Sequence, residues 1–300
     1  MAKKVNKEVI MHERDIEKTS KMQLVNNIFG TSLRYIFLII IAIAVLFPFY
    51  WMIISSLKTL AEYRLNVPTF WPKQIVWFNY VEAFTTANLG ILFKNTMIVG
   101  VVSTILSLVI TVLTAFCFAR LDFKGKNALF AALLGTMMIP GELFTITNYE
   151  TVFRLGWINT YTVLIVPFLV SVFYVYLLRQ SFMQIPDSLY LAAKVDGMSD
   201  LKYLWKVMIP LAMPTIISIT ILKMMGAWNS YMWPNLVARS QNMQLITNGL
   251  RNAFTEATSG DTNFPVQMAA VAIVSIPLFL VFIFFRKYIM KGVSRSGTKG

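Results

Sequence analysis

Residues 95–118 read NTMIVGVVSTILSLVITVLTAFCF, an uncharged stretch that decides whether this chain lies in water or in lipid. A helix needs about 20 apolar residues to cross roughly 30 Å of hydrocarbon. In that environment each backbone N–H and C=O requires a partner in its own segment, which favours a helix over an isolated strand. The stretch therefore predicts a transmembrane helix.

Five other stretches have the same character, and together they predict an all-α membrane protein with about six spans. The candidate spans are 35–54, 95–118, 128–147, 159–178, 207–233 and 266–285. Only 14% of the residues are charged and 57% are apolar, which is unlike a soluble domain. Prolines in these spans predict kinks rather than interruptions. They are Pro48, Pro140, Pro167, Pro210, Pro214 and Pro277.

The distribution of Lys and Arg predicts the orientation of the chain. Of 27 such residues, 19 lie on the side of the amino terminus, 7 lie on the other side, and Lys223 lies inside a span. Positive charge collects on the cytoplasmic side, so we expect both termini to face the cytoplasm. Membrane topology also explains the net charge of +13 without a nucleic-acid partner.

The predicted organisation is a cytoplasmic tail 1–34, a membrane domain 35–290 and a cytoplasmic tail 291–300. A cytoplasmic loop, 184–206, lies between spans four and five. The first apolar run has no small-residue cleavage site, so we expect it to remain as span one rather than to act as a secretion signal.

The chain shows no pattern typical of an enzyme. Its only histidine is His12, and its only cysteine is Cys117. We find no Cys/His cluster, glycine-rich phosphate loop or pair of catalytic carboxylates in the spans. We therefore expect no catalytic residue, metal or cofactor in this chain, and any use of ATP would require another subunit.

The most informative segment is 185–200, IPDSLYLAAKVDGMSD, in the cytoplasmic loop. Asp187 can cap one short helix, Gly197 permits the reversal that ends it, and Ser199 can cap a second helix. The sequence thus predicts two short helices meeting at a sharp turn. From the pattern alone, the pair is either a docking surface for a partner or an interfacial pair lying on lipid headgroups.

This segment resembles the EAA loop of binding-protein-dependent ABC importer permeases. The pattern runs Glu-Ala-Ala, three residues to Gly and some thirteen more to Pro. Ala192, Ala193, Asp196, Gly197 and Pro210 match it, and Leu191 stands at the position of the Glu.

The resemblance extends over nearly the whole chain and is closest to maltose-transporter-type second permeases of carbohydrate importers. Individually weak blocks occur in the expected order. They are FPFYWMIISSLK at 47–58, WFNY at 77–80, ARLDFKGK at 119–126, MIPG at 138–141, WN at 228–229 and the end 291–300.

The resemblance implies a type I importer permease in the bacterial plasma membrane, with a helix of the loop seated in a cleft of an ATPase. The implied ATPase-coupling residues are Leu191, Ala192, Ala193, Asp196, Gly197 and Met198. It also implies that residues 292–300 reach towards the ATPase dimer, although a solvated basic end is the alternative, and that residues 236–264 meet a binding protein.

The implied partners are a second homologous permease, two ATP-binding cassette subunits that bind ATP and Mg²⁺, an extracytoplasmic sugar-binding protein and membrane lipid. Import would proceed by alternating access. An ion-coupled secondary transporter of a small polar solute is the alternative, and a membrane enzyme is more remote. Secondary transporters usually carry midplane charges and internal repeats, neither of which is clear here.

Four residues are candidates for the translocation path. Glu142 and Lys223 lie at similar depth if their spans are straight helices, so they could pair beside the outer half of the path. Alternatively, Lys223 snorkels outward and Glu142 meets water near Pro140. Trp228 and Asn229 lie about one turn further out, where a ring face and an amide could contact sugar.

Overall fold

The computed structural model describes residues 30–255 and 263–294. Within these ranges the chain forms helices and turns without a strand, which confirms the all-α class. The α-helices are α1 Gly30–Ser56, α2 Leu60–Tyr63, α3 Phe78–Thr86, α4 Leu89–Arg120, α5 Lys126–Thr136, α6 Thr145–Arg154, α7 Tyr161–Ile165, α8 Val172–Met183, α9 Asp187–Val195, α10 Asp200–Tyr203, α11 Ile209–Leu211, α12 Met213–Trp228, α13 Met232–Val237, α14 Ile246–Thr255 and α15 Phe264–Ser294. Most of the amino-terminal tail and residues 295–300 lie outside the described residues.

Three helices, α1, α4 and α15, are individually long and apolar enough to cross a membrane. The remaining spans are pairs of helical segments that meet this requirement together and are bent at a break. Lys126–Thr136 and Gly141–Arg154 meet at 81°, Tyr161–Phe168 and Val172–Met183 at 47°, and Asp200–Leu211 and Met213–Trp228 at 80°. Each pair counted as one span gives the six predicted spans.

The structure departs from the prediction that the prolines only kink the spans without interrupting them. Pro140 has an extended ψ of 127° and separates two helical segments. Pro214 lies in the first turn of α12, where the missing N–H has no intrahelical acceptor to lose, whereas Pro210 lies one residue before the end of the helical segment Asp200–Leu211. Pro48 and Pro277 lie inside the continuous helices α1 and α15. The prediction is therefore wrong around Pro140 and Pro210, because the helices end there.

Predicted span five is not a straight helix from Val207 to Trp233. Residues 207–211 lie on the far side of the 80° bend, and the helix beyond it is α12, with 16 residues. Lys223 consequently follows the start of its helix by ten positions, or about 15 Å. The straight helix from Val207 on which the predicted depth of Lys223 depends is therefore not formed.

α4 is the central helix, and it packs against α8, α12, α3 and α14. Its buried positions include small and hydroxyl side chains, which allow neighbouring helices to approach closely. At Gly100, an added Cβ would lie 2.8 Å from the Met224 sulfur, so α4 and α12 are in close contact there. The buried polar residues of α4 are Asn95, Thr96, Ser103, Thr104, Ser107 and Thr111.

Buried polar groups order the first outer loop. The Lys58 side chain is 2% exposed, donates to the Thr69 carbonyl and lies 4.7 Å from the centre of the Trp51 ring. The Glu62 carboxylate accepts hydrogen bonds from Thr69 Oγ1 at 2.6 Å and from the Lys73 N–H at 3.0 Å. These bonds satisfy groups whose burial would otherwise be costly, so the loop has a defined shape.

Apolar packing at the end of α4 that carries Arg120 joins the loop between spans four and five to the spans. We call this group the inner cluster; its buried members come from α4, α8, α9, α10, α12 and the segments that follow α8, α10 and α11. They are Val112, Ala115, Phe116, Leu178, Phe182, Ile185, Ala193, Tyr203, Leu204, Met208, Ala212 and Ile219. The loop is therefore part of the folded core rather than an independent appendage.

Candidate functional site

The loop between spans four and five contains the two predicted short helices, α9 and α10. Ser199 caps α10 as predicted, since its hydroxyl accepts the Lys202 N–H at 3.4 Å. The prediction that Asp187 caps α9 is wrong. Pro186 occupies the cap position, Asp187 is the first helical residue, and its carboxylate accepts a hydrogen bond from Arg120 at 2.7 Å.

Gly197 ends α9 in the left-handed conformation, with φ at +70°. The Gly197 N–H donates to the Lys194 carbonyl at 3.0 Å, and the Met198 N–H donates to the Ala193 carbonyl at 2.8 Å. This is the bonding pattern of a Schellman motif, in which glycine avoids the steric penalty of a Cβ. The predicted reversal at Gly197 is confirmed.

A polar cluster fixes α9 against α10. Asp200 Oδ1 accepts a hydrogen bond from the Tyr190 hydroxyl at 2.7 Å and lies 2.8 Å from the Lys194 ammonium. The Lys194 ammonium, and then the Tyr190 hydroxyl, hold the pKa of the Asp200 carboxyl below its usual 3.8. Asp200 in turn raises the pKa of Lys194 above its usual 10.5. The cluster therefore keeps its charges throughout the physiological pH range.

The predicted coupling residues do not share one face. Ala193 is 7% exposed and belongs to the inner cluster, and Met198 packs against that cluster. Both side chains therefore support this chain's own fold, which contradicts the prediction that Ala193 faces a partner. Leu191, Ala192, Asp196 and Gly197 are exposed.

Besides Leu191, the same loop exposes three apolar residues that sequence reasoning did not assign to a contact surface, namely Val195, Leu201 and Trp205. Leu191 is 62% exposed, Val195 87%, Leu201 60% and Trp205 63%. We call these four residues together with Ala192 the docking face. The signal was present in the sequence, because 191 and 195, and 201 and 205, are spaced by one helical turn and lie on common faces.

A cavity of about 370 Å³ lies at the break in span four. Phe168, Val170, Ser171 and Tyr174 line it from span four, and the lining also includes Ser103, Lys223, Ser230 and Trp233. Its volume falls within the range of small-molecule sites, and it combines aromatic side chains with hydroxyls. Lys223 is the one charged residue among the described residues that line it.

The structure does not bring Glu142 and Lys223 together. The Lys223 ammonium donates to the Phe168 carbonyl at the end of a helical turn that contains Pro167. Glu142 is exposed in the turn Gly141–Phe144, beyond the 81° bend. No ion pair joins the two side chains among the described residues. The predicted pair fails because each span bends where a straight helix was assumed.

Trp228 and Asn229 are also placed differently from the prediction. Trp228 is 6% exposed, and its ring centre lies 5.7 Å from that of Phe93 in an apolar core. Asn229 is exposed, but its amide donates to the Met225 carbonyl at 2.9 Å and thus satisfies the end of α12. Neither residue lines the cavity at the span-four break.

α4 also anchors the last outer loop. The Asn95 amide donates to the carbonyls of Asn242 at 2.7 Å and Gln244 at 3.0 Å, and its oxygen accepts from the Tyr161 hydroxyl at 2.7 Å. Thr96 accepts the Ile246 N–H at 2.9 Å. The loop is therefore fixed to span two before α14 begins, while residues 256–262 lie outside the described residues.

Comparison with a protein-family model places residues 24–295 in the family described as binding-protein-dependent transport system inner membrane component. An arabinooligosaccharide transport system permease, AraQ of Halalkalibacterium halodurans, is 31% identical over 87% of this chain and 93% of its own length. The trehalose/maltose transport system permease MalG of Thermococcus litoralis is 30% identical over 87% of this chain and 94% of its own length.

A solved structure has the same fold. One chain of a bacterial ABC transporter that imports the acidic polysaccharide alginate aligns with a TM-score of 0.79 and 24% identity. The alignment covers 87% of this chain and 96% of that chain. The two chains therefore share a fold over most of their length.

Proposed function

The chain belongs to the family of binding-protein-dependent transport system inner membrane components, and on that premise we propose that it is a permease subunit of an ATP-binding cassette importer for a sugar or oligosaccharide. The family match covers nine-tenths of the sequence, and it is the observation that carries this proposal. Relatives named for arabinooligosaccharides, trehalose and maltose favour a carbohydrate as the transported solute.

We propose that the docking face contacts an ATPase subunit. Exposed apolar side chains on a loop at the positively charged side of the membrane favour burial against a partner. Leu191 replaces the acidic residue of the family pattern, so this contact relies on apolar packing rather than on a charge at that position. Asp196 and Gly197 lie exposed at the turn beside this face.

The translocation path is proposed to include the cavity at the span-four break. Lys223 donates to the Phe168 carbonyl, and the hydroxyls of Ser171, Tyr174 and Ser230 belong to residues that line the same space. Sugars present many hydroxyls, which such donors and acceptors can bind. Among the four predicted path residues, Lys223 is the one that lines this cavity.

The proposed assembly contains this subunit, a second permease, two ATPase subunits and an extracytoplasmic binding protein. The ATPase subunits would bind ATP and Mg²⁺. α1 is the proposed contact with the second permease, and none of its 18-residue apolar window is buried within this chain, so the helix can pack on a partner or on lipid. The anchored outer loop that ends in α14 is the proposed contact for the binding protein.

The test is to express the chain with its genomic neighbours and to purify it through an affinity tag. We expect a second permease and an ATPase to copurify, and uptake of a radiolabelled arabinooligosaccharide or maltotriose into proteoliposomes to require ATP and the binding protein. Uptake by the chain alone that collapses with a proton or sodium ionophore would overturn the proposal in favour of a secondary transporter.

A further inference from the structure

Arg120 joins three elements at the inner end of the fold. It is the last residue of α4, and its side chain is 4% exposed. Nη1 donates to Asp187 Oδ1, on the first residue of α9, at 2.7 Å. Nη2 donates to the Phe182 carbonyl at 2.8 Å and to the Ile185 carbonyl. One guanidinium thus binds the end of span two to the end of span four and to the loop.

The geometry of guanidinium explains why arginine occupies this position. Its planar fork directs several N–H donors at once, whereas an ammonium is a compact point charge. Two acceptors are carbonyls at and just beyond the C-terminal turn of α8, where a cation also complements the helix dipole. The Asp187 carboxylate is 80% exposed, so solvent screens its ion pair with Arg120 and the carbonyl bonds contribute more to the anchorage.

Arg179 provides an internal comparison. It lies on α8 near the same end, donates from Nε to the Phe118 carbonyl at 3.0 Å and stacks on the Phe130 ring at 4.1 Å. These contacts tie α8 to α4 and α5 and do not involve α9. Arg179 therefore performs a comparable packing task without contacting the loop.

We propose that Arg120 is a positioning residue for energy coupling, which holds α9 in rigid register with spans two and four. The inference rests on the proposed function, since it assumes that the docking face follows an ATPase. A force applied to α9 reaches the membrane spans through Arg120 and the inner cluster beneath it. Without the guanidinium, α9 tilts on its apolar contacts while the spans remain in place.

The test compares Arg120→Gln, Arg120→Lys and Arg179→Gln in the complete transporter reconstituted with its binding protein. The decisive quantity is the number of ATP molecules hydrolysed per sugar imported. We expect Arg120→Gln to assemble and to raise this ratio about tenfold, because the Ile185 carbonyl loses its Arg120 donor and the Phe182 carbonyl keeps only the Ile185 N–H. Arg120→Lys restores part of the coupling, and Arg179→Gln lowers thermal stability without changing the ratio.

A second measurement uses the complete transporter in the absence of ATP. A spin label at Ser188→Cys in a Cys117→Ser background reports the motion of α9, since residue 188 is exposed on α9 and lies outside the docking face. We expect Arg120→Gln to increase label mobility and Arg179→Gln to leave it unchanged.

Two outcomes overturn the proposal. One is a wild-type coupling ratio and label mobility in Arg120→Gln. The other is an equal rise of the ratio in Arg179→Gln, which would make Arg120 an ordinary packing residue. If Arg120→Gln does not assemble, Arg120→Lys and the label decide in the same way. If the wild-type chain binds no ATPase, the proposed function fails, and this result is distinguishable from both outcomes.

Discussion

At the scale of single residues, the backbone at Gly197 makes the most specific demand in the loop. Its φ of +70° belongs to the left-handed region, and a Cβ built there meets no atom within 4 Å. A substitution at this position is therefore opposed by backbone conformation alone and not by crowding. Asparagine tolerates this region better than other residues with a side chain, and β-branched valine tolerates it poorly.

We therefore expect Gly197→Val to destabilise the reversal by about 1–3 kcal/mol and to uncouple ATP hydrolysis from transport while the spans remain inserted. Gly197→Asn is the matched control and should retain most of the coupling. Complex assembly, sugar uptake and ATP hydrolysis are measured for both variants. Wild-type coupling in Gly197→Val would contradict the role assigned to this turn.

Lys223 gives a second prediction at this scale. Replacement by Met keeps much of the chain length but removes the donor to Phe168, so the carbonyl at the span-four break loses its partner. An unsatisfied carbonyl costs about 1–3 kcal/mol, and we expect uptake to fall by about tenfold or more. Lys223→Arg keeps a donor and should retain more uptake.

A double-mutant cycle with Glu142→Gln provides the control for Lys223→Met. We expect a coupling energy near zero in thermal stability, because the two side chains do not form an ion pair. A clearly nonzero coupling energy would show that Glu142 and Lys223 interact in the transporter, contrary to this structure.

At the scale of elements, α9 has one buried face and one exposed face, and two adjacent residues lie on opposite sides of this division. Ala193 is 7% exposed in the inner cluster, whereas Ala192 is exposed. An arginine at 193 would place a charge in an apolar core, which typically destabilises a fold by about 3–5 kcal/mol. An arginine at 192 would leave the fold intact and oppose an apolar partner.

We therefore expect Ala192→Arg to preserve the thermal stability of the isolated permease and to reduce ATPase copurification. Ala193→Arg should lower permease stability before any partner is added. Thermal unfolding and pull-down are measured side by side. Equal ATPase recovery with wild type and Ala192→Arg would exclude this face from the interface, and a normal unfolding temperature for Ala193→Arg would contradict its burial.

The same element shows what the sequence could and could not predict. Composition and the length of apolar runs predicted the spans, and local turn chemistry predicted Gly197 and Ser199. Long-range contacts were beyond that reasoning. From the local sequence Asp187 is a reasonable helix cap, but its carboxylate instead accepts a hydrogen bond from Arg120, which lies 67 positions away in the chain. The burial of Ala193 likewise depends on packing with α4 and α8, and the local sequence pattern carries no information about these contacts.

The bends were missed for a similar reason. Depth was counted along straight helices, and proline was treated as a kink that neighbours repair. The structure instead ends helices near Pro140 and Pro210, with bends of 81° and 80°. Those bends separate Glu142 from Lys223 and turn residues 207–211 away from α12. A pairing argument from residue counts therefore holds only within an unbroken helix.

At the scale of the whole molecule, α1 is distinct from the other long helices. None of its 18-residue apolar window is buried, compared with 44% for α4 and 22% for α15. Its described ring contacts with other segments lie near its end, where Phe49 packs on Phe279 and Trp51 on Phe70. Lipid alone can solvate such a helix, because hydrocarbon chains are as apolar as its side chains.

The proposed assembly leads to a different expectation, in which one face of α1 packs on the second permease and the other faces lipid. Single cysteines in a Cys117→Ser background distinguish the two. Positions 36, 40, 43 and 47 share one helical face, and positions 38, 41, 45 and 49 share the opposite face. We expect positions of one face to crosslink to the second permease, while the remainder react with a lipid-soluble maleimide. A partner contact produces a helical period in the crosslinks, whereas a helix surrounded by lipid labels evenly. Even labelling without any crosslink would therefore show that α1 is not part of the interface between permeases.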